Sequence, residues 1–225
     1  MRHKIFLTLA VTSAAFCFAT KGYAFDVHAP SSERIPLESH LQHFISVSEE
    51  NTQVTLGAQS FIEGIASSGI SFLSDESLSD EQRASAFRKL LHESFDMKTI
   101  GRFALGRYWR TSTEKERREY LKLFEEMVVD VYSRRFSDYD GHRLEVTKAR
   151  PTGKSDAIVV SYIVPESGPK VTVEWRVRYK RGKYKVVDII VEKVSMSLTQ
   201  RSDFASVIQR GGGQVEVLLA HLREE

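Results

Sequence analysis

The chain has 225 residues, 41% of them hydrophobic and 28% charged, which suffices for one domain with a sizeable core. Its 32 Lys and Arg residues nearly balance its 30 Asp and Glu residues. This balance excludes the basic excess of a typical nucleic-acid-binding protein. The sequence also contains no polybasic run of the kind that marks a membrane-surface segment.

Residues 1–24 are predicted to be a cleaved signal peptide. Basic residues precede an apolar stretch from Ile5 to Ala19, which is too short to span a membrane. Gly22-Tyr23-Ala24 has the small-x-small pattern of a cleavage site, so we expect the mature protein to begin at Phe25. Cleavage removes three basic residues, which leaves 29 against 30 acidic ones and a net charge of about −1.

The single cysteine, Cys17, lies within this signal peptide. Phe16 before it argues against a lipoprotein motif, which requires a small residue at that position. The mature chain therefore has no cysteine, which excludes thiol catalysis and disulfide bonds. Export without disulfides predicts a bacterial periplasmic protein.

The first predicted helix is weak. Residues 25–38 contain two prolines and are predicted to form a mobile leader, and a helical pattern follows from His40 to Leu73. Gly64 and Gly69 interrupt its apolar stripe, and each glycine inside a helix costs about 1 kcal/mol. This helix therefore needs tertiary support or a break.

Two capping boxes mark the next long helices. Ser79 with Gln82 opens one helix, and Thr113 with Glu116 opens what we expect to be the longest helix, to about Phe136. On that helix, apolar residues recur at three- and four-residue spacings, which predicts one inward face.

A short helix is predicted between these two. Asp96 is placed to cap its first turn, the helix runs from Met97 to Leu105, and Gly106 suits its C-terminal end. The predicted domain, residues 39–225, thus divides into a helical part at 39–112 and a second part at 113–225. The second part contains the long helix, the sheet and the C-terminal helices.

Four strands are predicted after the long helix, at His142–Arg150 (ended by Pro151), Ala157–Val164, Lys170–Lys180 and Lys183–Val194. The third strand alternates strictly between apolar and polar residues, which predicts one buried face. Arg181-Gly182 indicates a tight hairpin to the fourth strand, whose apolar residues fall on both faces. Helices are then predicted at Thr199–Gln209 and Gln214–Leu222.

Helices, then strands, then helices indicate an α+β fold with an antiparallel sheet. We expect a curved sheet of about four strands, of the NTF2-like kind, wrapped around the long helix. The large apolar face of such a sheet needs a lid. We predict that helices supply this lid incompletely and leave room for an apolar ligand.

Signals for catalysis are sparse. The sequence has no GxSxG, P-loop, GxGxxG or HExxH motif. Asp188, in an otherwise apolar strand, is the most suggestive titratable residue, because a buried carboxylate is a candidate general base. The structural alternative pairs it with Arg176, Arg178 or Arg201. On composition alone, the aromatic and methionine side chains are enough to fill an ordinary core.

An ordered set of short motifs resembles the MlaC family, the toluene-tolerance type of periplasmic phospholipid-binding proteins. The motifs are Phe95-Asp96-Met97, Gly101-Arg102, Leu105-Gly106, Trp109-Arg110, Tyr184 to Asp188, Val191 to Met196, Arg201 to Phe204, Ile208, Gly213 and Leu218-Leu219. The chain departs from the family pattern at Tyr184, where tryptophan is usual, at Lys193, where glycine is usual, and at Thr199-Gln200. A hopanoid-associated subgroup with a different lipid stays open.

The resemblance implies a carrier and not an enzyme. Such a carrier shuttles phospholipid through the periplasm between an outer-membrane lipoprotein complex and an inner-membrane ABC transporter with an MCE-domain subunit, and so serves outer-membrane lipid asymmetry. It implies no cofactor beyond the lipid cargo and no nucleic-acid partner, and we expect a monomer.

Periodicity, not the family resemblance, predicts which side chains form the wall around the acyl chains. The predicted wall residues are Phe61, Ile65, Phe103, Phe124, Met127, Val128, Val131, Tyr162, Val173, Trp175, Val177 and Phe204. Two alternatives stay open: an NTF2-like enzyme that uses Asp188 with a nearby Tyr or Arg, and an adaptor with a filled core that acts through surface contacts.

Overall fold

The computed structural model describes residues 37–136, 139, 141–153 and 155–224, and side chains from residue 52 onward. The predicted signal peptide and nearly all of the predicted leader lie outside the described residues. In the described part of the chain, no helix is both long enough and apolar enough to cross a membrane.

Seven helices and five strands make up the described residues. The helices are α1 (Leu37–Leu73), α2 (Asp80–Ser94), α3 (Met97–Leu105), α4 (Tyr108–Thr111), α5 (Glu114–Ser133), α6 (Met196–Arg210) and α7 (Val215–Glu224). The strands are β1 (Arg143–Thr152), β2 (Asp156–Val164), β3 (Val171–Lys180), β4 (Lys183–Val191) and β5 (Val194–Ser195).

The five strands form one antiparallel sheet in sequence order, β1-β2-β3-β4-β5, and the sheet is curved and unclosed. The predicted α+β class with a curved antiparallel sheet is therefore confirmed. A short fifth strand extends the four that the sequence predicted. The predicted end of β1 at Pro151 is wrong, because β1 is an edge strand and proline is tolerated there.

Two hairpin turns share one unusual backbone geometry. Arg181 and Gly182, between β3 and β4, both have positive φ angles, 52° and 75°. Glu192 and Lys193, between β4 and β5, repeat this pattern at 48° and 69° without a glycine. Both turns have the signature of the type I′ geometry, which matches the twist of antiparallel strands.

Both predicted capping boxes are present. The Ser79 and Thr113 side chains accept hydrogen bonds from Gln82 N and Glu116 N, and the Gln82 and Glu116 side chains accept in return from the cap backbones. Asp96 caps α3, as its position in the sequence predicted.

The longest helix is α1, with 37 residues, and not α5, with 20. The predicted ranking was wrong because intrinsic propensity undervalues a helix that packs on a sheet. Ala58, Ile62 and Ile65 of α1 are buried against the strands and supply the tertiary support that the glycines require. No break interrupts α1.

The buried side chains form two clusters. The sheet core joins α1 to one face of the sheet, here called the inner face, and comprises Ala58, Ile62, Ile65, Ala157, Val159, Val177 and Val186. The helical core joins α3 to α7 and comprises Ala104, Leu105, Tyr108, Tyr120, Phe124, Phe204, Ile208, Val215, Leu218, Leu219 and Leu222. Each cluster packs around its own elements, so the space where the two approach each other is not filled by either.

Candidate functional site

An apolar cavity of about 540 Å³ lies between the sheet and the helices. Its walls come from α1, α2, α3, α5 and α6 and from the strands β1 to β4. This volume falls in the range of about 300–1,000 Å³ that is typical of small-molecule sites. The prediction that helices cover the sheet incompletely is therefore consistent with the structure.

The cavity follows from the way the elements meet. Val173, Trp175 and Ile189 stand on the inner face of the sheet, which the strand periodicity turns toward the helices. Phe124 and Met127 of α5 form the opposite wall and are held by the helical core behind them. The gap between these walls is bounded by side chains that are nearly all hydrocarbon.

Four aromatic rings of the cavity lining pack against one another. Phe87 packs against Phe136 with ring centroids 5.3 Å apart and against Tyr132 at 6.2 Å. Phe72, near the end of α1, meets Phe136 at 6.0 Å. These contacts join α1, α2, the end of α5 and Phe136 beyond it, beside the cavity.

A second cavity of about 430 Å³ lies between α1 and β1. It shares Ala66, Ile70 and Leu144 with the first cavity. The two volumes are therefore separated by only a few side chains, two of them on the C-terminal half of α1.

Seven of the twelve predicted wall residues line the larger cavity. They are Ile65, Phe124, Met127, Val128, Val131, Val173 and Trp175. The opposed walls of the prediction, β3 and α5, are thus brought together around one space. That these side chains contact a lipid stays a prediction.

The other five predicted wall residues do not line it. Phe61 stacks on Tyr184, 6.0 Å between centroids, and Val177 is 1% exposed in the sheet core. Phe204 packs into the helical core, edge-on to Tyr120 and Phe124.

Tyr162 and Phe103 lie on the outside. Strand pairing puts Tyr162 on the sheet face opposite the inner face, and Lys170 stands 5.8 Å from its ring. Phe103 is 41% exposed, with the Arg201 guanidinium 5.2 Å from its ring centroid. Periodicity assigns a side chain to a face of its element, but it does not say which element covers that face.

Several lining residues were not among the predicted wall residues. Eight of them belong to the C-terminal half of α1 and to α2: Ala66, Gly69, Ile70, Phe72, Leu73, Phe87, Leu90 and Leu91. Their apolar spacing is visible in the sequence. What the sequence does not show is that α1 and α2 fold over the same sheet face as α5.

Asp188 makes no ion pair with Arg176, Arg178 or Arg201, so the predicted arginine partners were wrong, but the carboxylate does connect strand to helix. Its carboxylate accepts hydrogen bonds from Ser195 Oγ at 2.6 Å, Ser197 Oγ at 2.7 Å and Ser197 N at 3.1 Å. It also accepts one from Ile189 N. Asp188 therefore holds the first turn of α6 against β4, where its charge complements the helix N-terminus.

Two of these arginines, Arg176 and Arg178, pair with Asp156 instead. Arg178 Nε donates to Asp156 Oδ1 at 2.8 Å, and Arg176 Nε donates to Oδ2 at 3.0 Å. Burial acts to raise the pKa of Asp156, but the hydrogen bonds and charges of Arg178 and Arg176 outweigh it, and the pKa is lowered. Sequence reasoning missed Asp156, because its pairing depends on the β2–β3 register.

The described residues contain no group of three or more His, Cys, Asp or Glu side chains arranged to hold a metal ion. The larger cavity is bordered by few ionisable groups, among them Asp188 and Arg143. Its chemistry is that of a site that shields hydrocarbon from water.

The fold and the cavity define the class: an α+β protein with a curved antiparallel sheet around an apolar interior space. A family model described as "MlaC protein" matches residues 65–224, most of the chain. The chain therefore belongs to the MlaC family, which confirms the resemblance seen in the sequence.

Two relatives accompany this match. The chain is 18% identical over 133 residues to the intermembrane phospholipid transport system binding protein MlaC of Haemophilus influenzae, with 57% of this chain and 61% of that protein covered. A phospholipid-binding protein from Ralstonia solanacearum, solved in complex with a phospholipid, superposes with a TM-score of 0.65 at 21% identity. That superposition covers 74% of this chain and 95% of the other and shows a shared fold.

Proposed function

We propose that this protein is a periplasmic carrier that encloses the acyl chains of a phospholipid in the 540 Å³ cavity. In this role it shuttles lipid between an outer-membrane lipoprotein complex and an inner-membrane ABC transporter with an MCE-domain subunit. The observation that carries the proposal is the cavity itself, which is apolar, bounded by seven of the predicted wall residues, and left open by both cores.

The physical need for a carrier supports this function. Exposure of hydrocarbon to water costs about 0.8 kcal/mol per methylene, so two acyl chains cost on the order of 20 kcal/mol. A protein that covers the chains removes most of this barrier without any bond chemistry. Membership of the MlaC family and the phospholipid named in the Ralstonia solanacearum structure support the choice of cargo.

Asp188 supports a carrier over a hydrolytic or isomerising enzyme. Both carboxylate oxygens already accept hydrogen bonds from the start of α6 and from Ile189 N. Oδ1 accepts three of these bonds and Oδ2 accepts one, so the carboxylate is committed to the start of α6 and to Ile189 N and keeps only one acceptor position. The geometry of Asp188 is that of a capping residue.

The test is the lipid content of protein purified without detergent or organic solvent, measured by native mass spectrometry and by extraction. We expect about one phospholipid per protein. Val128→Arg places a charge in the α5 wall and should lower the bound lipid at least fivefold, because a guanidinium in an apolar cavity costs several kcal/mol.

The matched control is Leu56→Arg, on α1 but exposed and outside the cavity wall. It should keep its lipid. Wild-type protein without stoichiometric lipid, or equal lipid in the two variants, contradicts the proposed function.

A further inference from the structure

Four exposed arginines and two exposed apolar side chains mark a surface formed by three neighbouring segments, away from the cavity lining. This surface, the arginine face, consists of Arg102, Phe103, Arg107, Arg110, Leu198 and Arg201. All six are exposed, with Phe103 at 41% and Leu198 at 57%. They come from α3, from the segment through α4, and from α6.

Close contacts join these segments. The Arg201 guanidinium stands over Phe103, and Gly106, with a φ of 60°, leaves the space in which Arg201 lies. Leu198 precedes Arg201 by three residues and so shares its side of α6. Arg102 lies 5.9 Å from the ring centroid of Trp109, which connects α3 to α4.

The arginine face carries charge that the protein does not neutralise. Among the described residues, none of its four guanidiniums lies within salt-bridge distance of a carboxylate. Outside this surface, nine of the thirteen arginines with described side chains pair with a carboxylate, as in Arg118 with Glu114 and Arg150 with Glu174. On the arginine face none of the four does.

The acidic residues of the neighbouring segments do not offset this charge. Asp96 is occupied by Thr99, and Glu192 accepts from Thr172 N. Asp203 follows Arg201 by two residues and therefore points to the other side of α6. The segment from Met97 to Ser112 contains four basic residues and no acidic one.

We propose that the arginine face docks the protein on the surface of an anionic phospholipid bilayer. One guanidinium group can donate two parallel hydrogen bonds to the oxygens of one phosphate. Each basic residue near an anionic membrane surface contributes about 1 kcal/mol to binding. Exposed Phe and Leu side chains among the arginines are suited to enter the interfacial region. The basic residues come from separate segments, which is why the sequence shows no polybasic run.

A bilayer fits this surface better than a protein partner does. The buried centre of a protein interface is a largely apolar patch, whereas here only two single apolar side chains stand among four like charges. The same helices also form the cavity wall from their other sides, through Met97 and Ile100 of α3 and Met196 and Gln200 of α6. Docking therefore places a wall of the cavity beside the membrane surface.

This inference concerns docking and not cargo, so it is tested separately. The full chain is expressed, and the processed form is purified, with its N-terminus determined by mass spectrometry. Cosedimentation is measured with vesicles of phosphatidylglycerol and phosphatidylcholine mixed one to one, and with pure phosphatidylcholine vesicles, at low and high salt. We expect binding only to the anionic vesicles, weakened at least tenfold by high salt.

The variant Arg102→Glu with Arg110→Glu should bind the anionic vesicles at least tenfold more weakly. The matched control makes the same charge change at Lys115 and Lys148, which are exposed on α5 and β1. Circular dichroism and thermal melting check that both variants fold.

If the variant and its control bind the anionic vesicles equally weakly, the proposal is overturned, because binding then depends on the net charge of the protein and not on the arginine face. Absence of wild-type binding to the anionic vesicles at low salt also overturns it. So does a defect confined to binding of the MCE-domain subunit, which assigns the surface to a protein partner. Lipid content of the preparations reports on the carrier function independently.

Discussion

At the scale of single residues, Asp156 and Asp188 show how register decides the role of a carboxylate. Asp156 is the first residue of β2, and Asp188 lies within β4. Asp156 pairs with Arg178 and Arg176 across the β2–β3 ladder, whereas Asp188 turns to the start of α6. The sequence identified Asp188 as unusual but not its partners, because a one-residue change in register would exchange the neighbours.

The Asp156 cluster predicts a loss of stability in acid. The folded pKa of Asp156 is below its ordinary value, so its contribution is complete above the unfolded pKa of about 3.9. It is lost as the pH falls from there through the folded pKa. Asp156→Asn should therefore cost about 2 kcal/mol at pH 7 and progressively less as the pH falls below about 3.9.

Urea unfolding of both proteins between pH 7 and pH 3 measures this difference. Asp130→Asn is the control, because Asp130 pairs with Arg134 on an exposed helix face and should contribute a few tenths of a kcal/mol. A penalty for Asp156→Asn that stays constant down to pH 3 contradicts the assignment.

The turn between β4 and β5 predicts a stabilising substitution. Lys193 has a φ of 69°, a left-handed conformation that costs a residue with a Cβ about 1 kcal/mol. Glycine removes this cost, but it also raises the conformational entropy of the unfolded chain, which offsets part of the gain. Lys193→Gly should raise the free energy of unfolding by about 0.5 kcal/mol. This is also the position where the family usually has glycine.

Lys183→Gly is the comparison. Lys183 begins β4 in extended conformation, where glycine weakens a strand, so this variant should be destabilised by about 0.5–1 kcal/mol. Chemical denaturation at one pH ranks the two variants. Similar losses in both would show that the left-handed conformation of Lys193 carries no strain.

At the scale of elements, most local signals were reliable, although Pro151 does not end β1. The Ser79 and Thr113 capping boxes, the Asp96 cap and the Arg181-Gly182 hairpin all depend on residues close in sequence, and all are confirmed. The length of α1 was not predictable in this way. Its stability comes from the sheet beneath it, which the chain supplies about 100 residues later.

The glycines of α1 separate local propensity from packing. A Cβ at Gly64 would meet no atom within 4 Å, whereas a Cβ at Gly57 would overlap the ring of Tyr184. Gly64→Ala should therefore stabilise the protein by about 1 kcal/mol. Gly57→Ala should gain the same propensity but lose more through displaced packing, with a net loss of about 1–3 kcal/mol.

Thermal unfolding of the two alanine variants measures the contrast directly. Tyr184→Phe in the Gly57→Ala background relieves part of the overlap and should recover part of the loss. If Gly57→Ala is as stable as Gly64→Ala, α1 does not pack on Tyr184 in solution.

At the scale of the whole molecule, the cavity arises because two cores form separately and meet imperfectly. Strand and helix periodicity predicted both opposed walls, Trp175 with Val173 on β3 and Val128 with its neighbours on α5. The side boundaries of the cavity were not predictable from the sequence. They depend on how far α1 and α2 extend over the sheet and on which side chains, such as Phe204, are buried in the helical core instead of lining the cavity.

The part of the larger cavity next to Gly69 of α1 leads to a prediction about the amount of bound lipid. Gly69 lines the larger cavity, and a Cβ built there meets no atom within 4 Å. Gly69→Leu should place an apolar side chain into that space and compete with an acyl chain for it. We expect bound lipid to fall by at least half relative to wild type in detergent-free preparations.

Gly64→Leu provides the control, because Gly64 is equally open but does not line the cavity. Both substitutions gain about 1 kcal/mol of helix propensity. After delipidation, only Gly69→Leu should gain a further 1–2 kcal/mol or so from burial of its side chain in the cavity. If the two delipidated variants are equally stable and the two variants hold equal amounts of lipid, then lipid does not fill the part of the larger cavity next to Gly69. If the cavity is kept empty for a ligand, a substitution that fills it should both stabilise the delipidated protein and exclude the lipid.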